Sequence, residues 1–242
     1  MVAEVTNDVP MEDGDAMLRP LAVIFDVNET LFDLRALASF FVDRGFPPYA
    51  LDWWFAVLLR DGIAAGAAGR FAAFPELARD ALDEVAGRLE CHLDDEAAVA
   101  ILQEFARIPA HPDVVPALRI LQEQQTPYLA LTNGSGQVAT NLFAGAGLSV
   151  SQDQILSVEI TQRWKPCHEP YDFAITRLGV PSNRVAMVAS HPWDLAGASA
   201  AGLLTAWVNR SGRNFPRAFR SPDVMATTLD ALMAQLVAAP AS

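Results

Sequence analysis

Polar side chains that could take part in chemistry follow three apolar segments of the sequence. In chain order they are Asp26 and Asn28, then Thr132, Asn133 and Ser135, and then Ser190, His191 and Asp194. A lysine, Lys165, lies before a helix-like stretch between the second and third groups. Each residue alone is weak evidence, because turns and helix caps favour the same residue types. Their occurrence at successive strand ends predicts one shared site, since the carboxyl ends of parallel strands meet at one edge of a sheet.

The segments that precede these residues are predicted to be strands of a parallel sheet. Apolar runs that suit strands buried on both faces occupy residues 21–27, 128–134, 184–190 and 203–209, with a shorter candidate at 155–160. Helical patterns separate them at residues 113–125, 136–147 and 169–179. Strands that alternate with helices of this length predict an α/β fold, built from β-α-β units in a doubly wound parallel sheet.

Residues 34–108 differ from the rest of the chain. They are rich in Ala, Leu and Phe at helical spacing and contain no convincing strand. We therefore predict a helical cap domain at 34–108, inserted after the first strand of a core domain formed by 19–33 and 109–242. Such an insertion would lie over the carboxyl edge of the sheet, where doubly wound proteins bind ligands. The acidic residues 1–18 lack the parts of a signal peptide and are expected to form a disordered leader.

The composition narrows the classes of function. With 242 residues, 52% of them hydrophobic, the chain can bury one large core. Its net charge of −12 argues against nucleic-acid binding, which needs clustered Lys and Arg. The two cysteines, Cys91 and Cys167, have no metal-binding or disulfide spacing, and this fits a reducing cytoplasm. No apolar run approaches the roughly 20 residues that a membrane-spanning helix needs, so we expect no membrane partner.

Four sequence motifs together resemble the haloacid dehalogenase superfamily. They are D-x-x-x-T at 26–30, [ST]-N-G at 132–134, K-P at 165–166 and a strand followed closely by Asp194. The stretches FDVNETLFDL, ALTNGS, KPCHEPY and SHPWDLAGA are most similar to the type II 2-haloacid dehalogenases and to the related azetidine-2-carboxylate hydrolases. The resemblance covers the chain from about residue 21 to about residue 210. It implies a Rossmann-like core with a helical cap, in agreement with the patterns above.

The resemblance also implies a role for the motif residues. Asp26 is the expected nucleophile, and the ammonium of Lys165 is expected to keep its carboxylate ionised. Thr30 and Asn133 match positions that hydrogen-bond the nucleophile or the substrate carboxylate. Thr132 lies beside Asn133 on the same loop and is an expected substrate contact.

Four further positions would complete the pocket. Asp194 matches a residue that orients or deprotonates the hydrolytic water, and Tyr171 matches a tyrosine that lines the site. His191 stands where the well-studied dehalogenases have Asn. It either contacts substrate or water or is simply a packed or capping histidine. Trp193 is either a wall of the pocket or part of the core.

Two positions separate the chain from the phosphatases of the same superfamily. The phosphatases carry a second Asp two residues after the nucleophile, which protonates the leaving group, and they hold Mg²⁺. Here that position is Asn28, and Ser190 replaces a second phosphatase Asp four residues before Asp194. We therefore expect no metal and no cofactor, with Asn28 and Ser190 among the substrate contacts. The expected leaving group departs without a proton, as halide does.

One contact implied by the resemblance is missing from the cap. Type II dehalogenases carry an Arg on a cap helix that grips the substrate or the halide, and alignment puts Phe55 at this position. Loss of a bidentate carboxylate clamp indicates a bulkier or less anionic substrate, or another group in the role of the Arg.

The expected function is hydrolytic dehalogenation of a short 2-substituted carboxylic acid through an aspartyl ester. The same attack on azetidine-2-carboxylate is the alternative, and there the ring nitrogen must be protonated, a role open to His191. Asn28 and Ser190 argue against a third possibility, a phosphatase of small metabolites. The joint presence of Asp26 and the other motif residues argues against a non-catalytic binding protein. The apolar face of the cap permits a homodimer.

Overall fold

Within residues 19–238, the part of the chain that the computed structural model describes, a six-stranded parallel sheet forms the centre of the protein. The strands are β1 (Ala22–Phe25), β2 (Tyr128–Thr132), β3 (Ile155–Ser157), β4 (Val185–Ala189), β5 (Leu204–Val208) and β6 (Val224–Ala226). Their order is β3-β2-β1-β4-β5-β6, and every neighbouring pair is parallel. The predicted doubly wound α/β fold is confirmed, with β1 at the point where the two halves of the sheet meet.

Helices lie between and around the strands, and five of them cover the two faces of the sheet. The helices are α1 (Ala38–Val42), α2 (Ala50–Ala67), α3 (Phe74–Arg88), α4 (Asp95–Phe105), α5 (Val114–Glu123), α6 (Gly136–Gly145), α7 (Val158–Thr161), α8 (His168–Leu178), α9 (Pro192–Ala200) and α10 (Leu229–Ala238). Side chains alternate along β1, so Val23 and Phe25 face one side of the sheet while Ala22 and Ile24 face the other. The first side packs against α5, α6 and α10, and the second against α8 and α9. This explains why the strands are apolar throughout.

Helices α1 to α4 follow β1 and pack through aromatic side chains. Trp54 of α2 contacts Phe105 of α4 with ring centroids 6.0 Å apart. Phe74 of α3 stacks on Phe105 at 5.1 Å and on Trp164 at 6.1 Å. The sequence-based insertion at 34–108 contains these four helices. Its assignment as a domain separate from the core remains a prediction.

A glycine brings α2 directly onto the loop that carries the lysine. A Cβ atom at Gly62 would lie 2.3 Å from the ring of Trp164, so any side chain there would displace the indole. The indole Nε1 of Trp164 also donates a hydrogen bond to the carbonyl oxygen of Ala72 at 2.9 Å. Because Trp164 immediately precedes Lys165, the helical segment helps to fix the position of the lysine.

The structure differs from the sequence-based boundaries at the edges of the sheet. The candidate strand at 155–160 ends at Ser157, whose hydroxyl accepts a hydrogen bond from the backbone N–H of Glu159 and begins α7. β6 and α10 were not predicted, and β6 has only three residues, which is too short to show a period. The expected leader at 1–18 lies outside the described residues. In the part of the chain that is described, no helix has the length and apolar character to cross a membrane.

Candidate active site

The predicted site residues meet at the carboxyl edge of the sheet. Asp26 directly follows β1, Asn133 follows β2 and Ser190 follows β4. Since β1 pairs with both β2 and β4, Asp26 lies between the other two groups. Its backbone N–H continues the ladder by donating to the carbonyl oxygen of Val188 at 2.9 Å. Its carboxylate is therefore held at the centre of the edge by the pairing of the sheet itself.

Lys165 is buried and shares its ammonium among three acceptors. Its Nζ lies 2.9 Å from Asp26 Oδ1, 2.7 Å from Asp194 Oδ2 and 2.9 Å from the carbonyl oxygen of Leu131, and its side chain is fully buried. All three N–H donors of an ammonium are thereby used. Burial alone would lower the pKa of Lys165, but the charges of Asp194 and Asp26 raise it above its ordinary value. The lysine is therefore charged at neutral pH.

The side chain of Asn133 fixes the backbone of Lys165. Its Oδ1 accepts a hydrogen bond from the lysine N–H at 2.8 Å, and its Nδ2 lies 3.4 Å from the lysine carbonyl oxygen. The neighbouring Thr132 Oγ1 accepts from the N–H of Gly134 at 2.9 Å and so closes the turn of the loop. Both polar groups are used within the protein. The resemblance implies that Asn133 and Thr132 contact the substrate, but a substrate would have to compete with these internal hydrogen bonds for the same polar groups.

Asp26 is held as a carboxylate by its surroundings. Thr30 Oγ1 donates to Asp26 Oδ2 at 2.6 Å, and the threonine oxygen in turn accepts from the N–H of Ser190 at 2.9 Å. Burial would raise the pKa of Asp26, but the ammonium of Lys165, the ring of His191 and the Thr30 hydroxyl outweigh it and lower that pKa below its ordinary value. An ionised carboxylate with fixed orientation has the properties of a nucleophile.

Asp194 faces Lys165 and Tyr171, and both of its oxygens are occupied. Oδ2 accepts from the lysine, and Oδ1 accepts from the Tyr171 hydroxyl at 2.5 Å. Its side chain is fully buried, and burial together with the charge of Asp26 raises its pKa. Gly197 allows this packing, because a Cβ atom there would lie 2.6 Å from the tyrosine hydroxyl oxygen. Asp194 therefore fixes the lysine from the side away from the cleft.

His191 bridges Asp26 and a residue that the sequence analysis missed. Its Nδ1 lies 3.3 Å from Asp26 Oδ2, and its Nε2 lies 2.7 Å from Glu29 Oε2. Burial would lower the pKa of His191, but hydrogen bonds and charge from the two carboxylates raise it to about 10. The imidazole is therefore an imidazolium at neutral pH. Glu29 gave no signal in the sequence except its place inside the D-x-x-x-T motif.

Asn28 lies beside the loop at Gly134, and Phe55 lies beside the imidazole of His191. The side chain of Asn28 is 93% buried next to the loop at Gly134, and it forms no hydrogen bond with any of residues 19–238. The ring centroid of Phe55 lies 6.2 Å from that of His191, and the ring centroid of Trp193 lies 5.3 Å from that of His191. Phe55, which occupies the position where the resemblance implies an arginine, thus packs against the imidazolium of His191.

A cleft of about 460 Å³ opens at this point. It is lined by Glu29, Phe55, Leu59, His111, His191 and Arg210, among others. Arg210 is bound elsewhere, since its guanidinium forms an ion pair with Asp113 and donates to the carbonyl oxygen of Thr30. A larger cleft, of about 820 Å³, lies away from Asp26 beside residues 106–112 and 141–146. The smaller cleft is bordered by His191, whose Nδ1 lies 3.3 Å from Asp26 Oδ2, and we take this cleft as the entrance to the site.

The residues around Asp26 do not suit a magnesium ion. Mg²⁺ needs several oxygen ligands with carboxylates among them, but positions 28 and 190 carry an amide and a hydroxyl. The oxygens of Asp26 and Asp194 that face each other are already bridged by the ammonium of Lys165. Across residues 19–238, no three His, Cys, Asp or Glu side chains are grouped so as to bind a metal ion.

The fold and the site together define a doubly wound α/β protein with a carboxylate–ammonium centre at its switch point. The chain matches the model of the haloacid dehalogenase-like hydrolases over residues 20–202, and it belongs to this family of hydrolases. The predicted resemblance is thereby confirmed.

Several of the relatives that the chain matches are haloacid dehalogenases by name. Haloacetate dehalogenase H-2 of Moraxella sp. (strain B) is 25% identical over 215 residues, which are 88% of this chain and 96% of the relative. The crystal structure of the L-2-haloacid dehalogenase RSc1362 superposes with a TM-score of 0.83 at 30% identity, covering 92% of this chain and 99% of that one. The L-2-haloacid dehalogenase of Xanthobacter autotrophicus with chloropropionic acid covalently bound gives 0.81 at 26% identity, covering 91% and 98%.

Proposed function

We propose that the protein is a hydrolytic dehalogenase of short 2-haloacids that works through an ester on Asp26. The observation that carries the proposal is the state of this carboxylate. It is buried at the switch point, ionised, and oriented by Lys165 and Thr30. No acid stands at position 28 to protonate a leaving group. A halide needs none, because it leaves as a stable anion.

The reaction has two steps. In the first, an oxygen of Asp26 attacks the carbon that bears the halogen, and the carbon–halogen bond breaks as the ester bond forms. In the second, water attacks the carbonyl carbon of the ester, and the 2-hydroxy acid is released while the carboxylate is restored. The relative with chloropropionic acid covalently bound supports a covalent intermediate of this kind.

The amide of Asn28 is our candidate for binding the substrate carboxylate. It borders Asp26, and its N–H donors have no hydrogen-bond partner in the described part of the chain. A ligand oxygen beside this amide would give it a hydrogen-bond partner. This would place part of the role of the missing cap arginine on the core, while Phe55 supplies an apolar wall.

Isotope labelling tests the covalent step. With enzyme in excess over (S)-2-chloropropionate in ¹⁸O water, the hydroxyl of the first-turnover product should be unlabelled, because its oxygen comes from Asp26. The label should enter the enzyme and appear in product only in later turnovers. Label in the first product would show that water attacks the substrate directly and would refute the nucleophile.

Ring opening of azetidine-2-carboxylate is a second candidate, and the imidazolium of His191 favours it. The leaving ring nitrogen needs a proton, and His191 carries one within 3.3 Å of Asp26 Oδ2. A panel of 2-haloacids, azetidine-2-carboxylate and phosphate esters, scored for halide, opened ring and free phosphate, separates the candidates. Residence in the cytoplasm, independence of metal and assembly as a homodimer remain proposals.

A further inference from the structure

His191 and Glu29 have the arrangement of a catalytic base and its orienting carboxylate. The 2.7 Å contact between His191 Nε2 and Glu29 Oε2 leaves Nδ1 directed at Asp26, 3.3 Å from its Oδ2. A carboxylate on one ring nitrogen fixes the tautomer in which the other nitrogen can accept a proton. The ring lies at the cleft with 14% of its side chain exposed, so water can reach it.

The second step of the proposed reaction needs a base, and Asp194 is badly placed for it. Its carboxylate is fully buried, with one oxygen bonded to Lys165 and the other to Tyr171. A water molecule that attacks the ester of Asp26 must arrive from the cleft, on the side where His191 lies. Asp194 orients the lysine from a fully buried position and does not line the cleft, whereas His191 does.

We propose that His191, oriented by Glu29, is the general base that activates water for hydrolysis of the Asp26 ester. The inference rests on the proposed function, because it presumes that the ester forms. Nδ1 takes one proton from water while the water oxygen bonds to the carbonyl carbon of the ester. The tetrahedral intermediate then expels the 2-hydroxy acid, whose alkoxide receives that proton or one from solvent. The products are the free carboxylate, the hydroxy acid and a regenerated histidine.

Formation of the ester itself would switch the histidine into its basic form. In the free enzyme the charges of Asp26 and Glu29 keep His191 protonated. Esterification neutralises Asp26, so one of the two carboxylates that raise the pKa of His191 is lost and the proton can leave through the cleft. The other charged or titratable groups that line this cleft are Asp33, Arg35, Asp52, His111, Arg210 and Arg213. The base would thus be available when the ester is present.

The backbone at Glu29 supports a functional reason for this side chain. Its φ is +61°, in the left-handed region where glycine is the relaxed residue. A glutamate held there costs conformational energy that only its surroundings can offset. The ion pair with His191 is its side-chain partner at the site. Glu29→Gly should therefore remove the carboxylate without straining the chain.

Pre-steady-state kinetics with (S)-2-chloropropionate test the proposal. His191→Gln should release one chloride per active site at a rate within about tenfold of wild type and then stall. Hydrolysis of the ester should slow by about 10²- to 10⁴-fold, the usual contribution of general base catalysis. Intact-mass spectrometry should show the adduct accumulating on Asp26. Glu29→Gln and Glu29→Gly should give a smaller accumulation and a changed pH profile for ester hydrolysis, which a purely structural role would not produce.

His168→Gln is the matched control. His168 Nδ1 also pairs with a carboxylate, Asp172 Oδ2, at 2.6 Å, but on the exposed surface, and its loss should leave both steps unchanged. His191→Leu serves as a second variant without a titratable group, and a thermal melt of each variant reports folding. If both His191 variants are folded yet slow the two steps equally, or accumulate no adduct, the base assignment is wrong. If wild type itself forms no adduct and releases no halide, the proposed function fails and the inference with it.

Discussion

Replacement of Lys165 by methionine removes the only ammonium of a side chain in the protein. Lys165 is the sole lysine among 242 residues, while the chain has 16 arginines. Three acceptors converge on its single nitrogen, a geometry that a compact ammonium satisfies and a planar guanidinium does not. In Lys165→Met the side chain keeps nearly the same length, but Asp26 and Asp194 lose their shared donor inside the protein.

Both the loss of stability in Lys165→Met and the direction in which it changes with pH can be estimated. Removing one partner of a buried ion pair costs about 3–5 kcal/mol. For a chain of this size each kcal/mol lowers the melting temperature by about 2–4 °C, so we expect a fall of about 6–20 °C at neutral pH. In wild type the pKa of Asp26 is lowered, so its carboxylate contributes stability above its unfolded pKa. In the variant, burial raises the pKa of Asp194 further. The free energy of unfolding should therefore fall as the pH rises from the pKa that Asp194 has in the unfolded chain towards its higher pKa in the folded chain.

Thermal melts at about pH 5 and about pH 8, followed by circular dichroism, measure this effect. Arg79→Met is the matched control, because Arg79 also bridges two carboxylates, Asp83 at 3.0 Å and Asp95 at 2.8 Å, but at the surface. Surface pairs contribute about 0–1 kcal/mol, so this variant should melt close to wild type. A Lys165→Met protein that melts like the Arg79 control, or whose melting temperature does not fall with rising pH, would show that the buried charges are not coupled as described.

Four further predictions concern activity. Asp26→Asn should abolish halide release while the melting curve stays cooperative, and EDTA should leave wild-type turnover unchanged; strong inhibition by EDTA would contradict the poor fit of the site to Mg²⁺. Formation of the ester in single turnover should be flat from about pH 5 to about pH 9, because the lowered pKa of Asp26 keeps it ionised over this range. Asn28→Ala should raise KM for 2-haloacids by about 10- to 100-fold with little change in kcat, since it removes binding common to ground and transition states; an unchanged KM would exclude the amide as the carboxylate donor.

The centre of the fold could be predicted because its signals are local. Each central strand is apolar on both faces and is followed by polar residues. The alternation of these strands with helices predicts that the strands run parallel. β6 could not be predicted in this way. Its three residues pair with β5 alone, and their pairing depends on long-range contacts such as that between Thr205 N–H and the carboxylate of Asp223, 2.8 Å apart. A bond between residues 18 positions apart leaves no period in the sequence.

In the candidate site, too, some features could be predicted from the sequence and others could not. Spacing placed Asp26 and Lys165 at the same edge, but it could not tell which way a side chain turns. Asn133 is turned towards the backbone of Lys165, and the left-handed conformation of Glu29 directs its carboxylate to His191. Both orientations depend on dihedral angles of single residues in loops. The sequence left His191 open between a contact to substrate or water and a packed or capping histidine, and its contacts with two carboxylates are seen only in the structure.

The charges around Asp26 also limit the substrate. Two cations, Lys165 and His191, stand among three acidic side chains, Asp26, Asp194 and Glu29, so the site has no surplus of positive charge to attract a dianion. A phosphate ester would bring two negative charges against an ionised nucleophile, and the phosphatases answer this repulsion with Mg²⁺. The donor set here does not suit that ion. A substrate with one carboxylate can meet the amide of Asn28 and present its carbon to Asp26 with far less repulsion, and the departing halide takes the displaced charge out of the site. The substitutions at 28 and 190 and the balance of charge therefore favour the same chemistry, displacement at carbon.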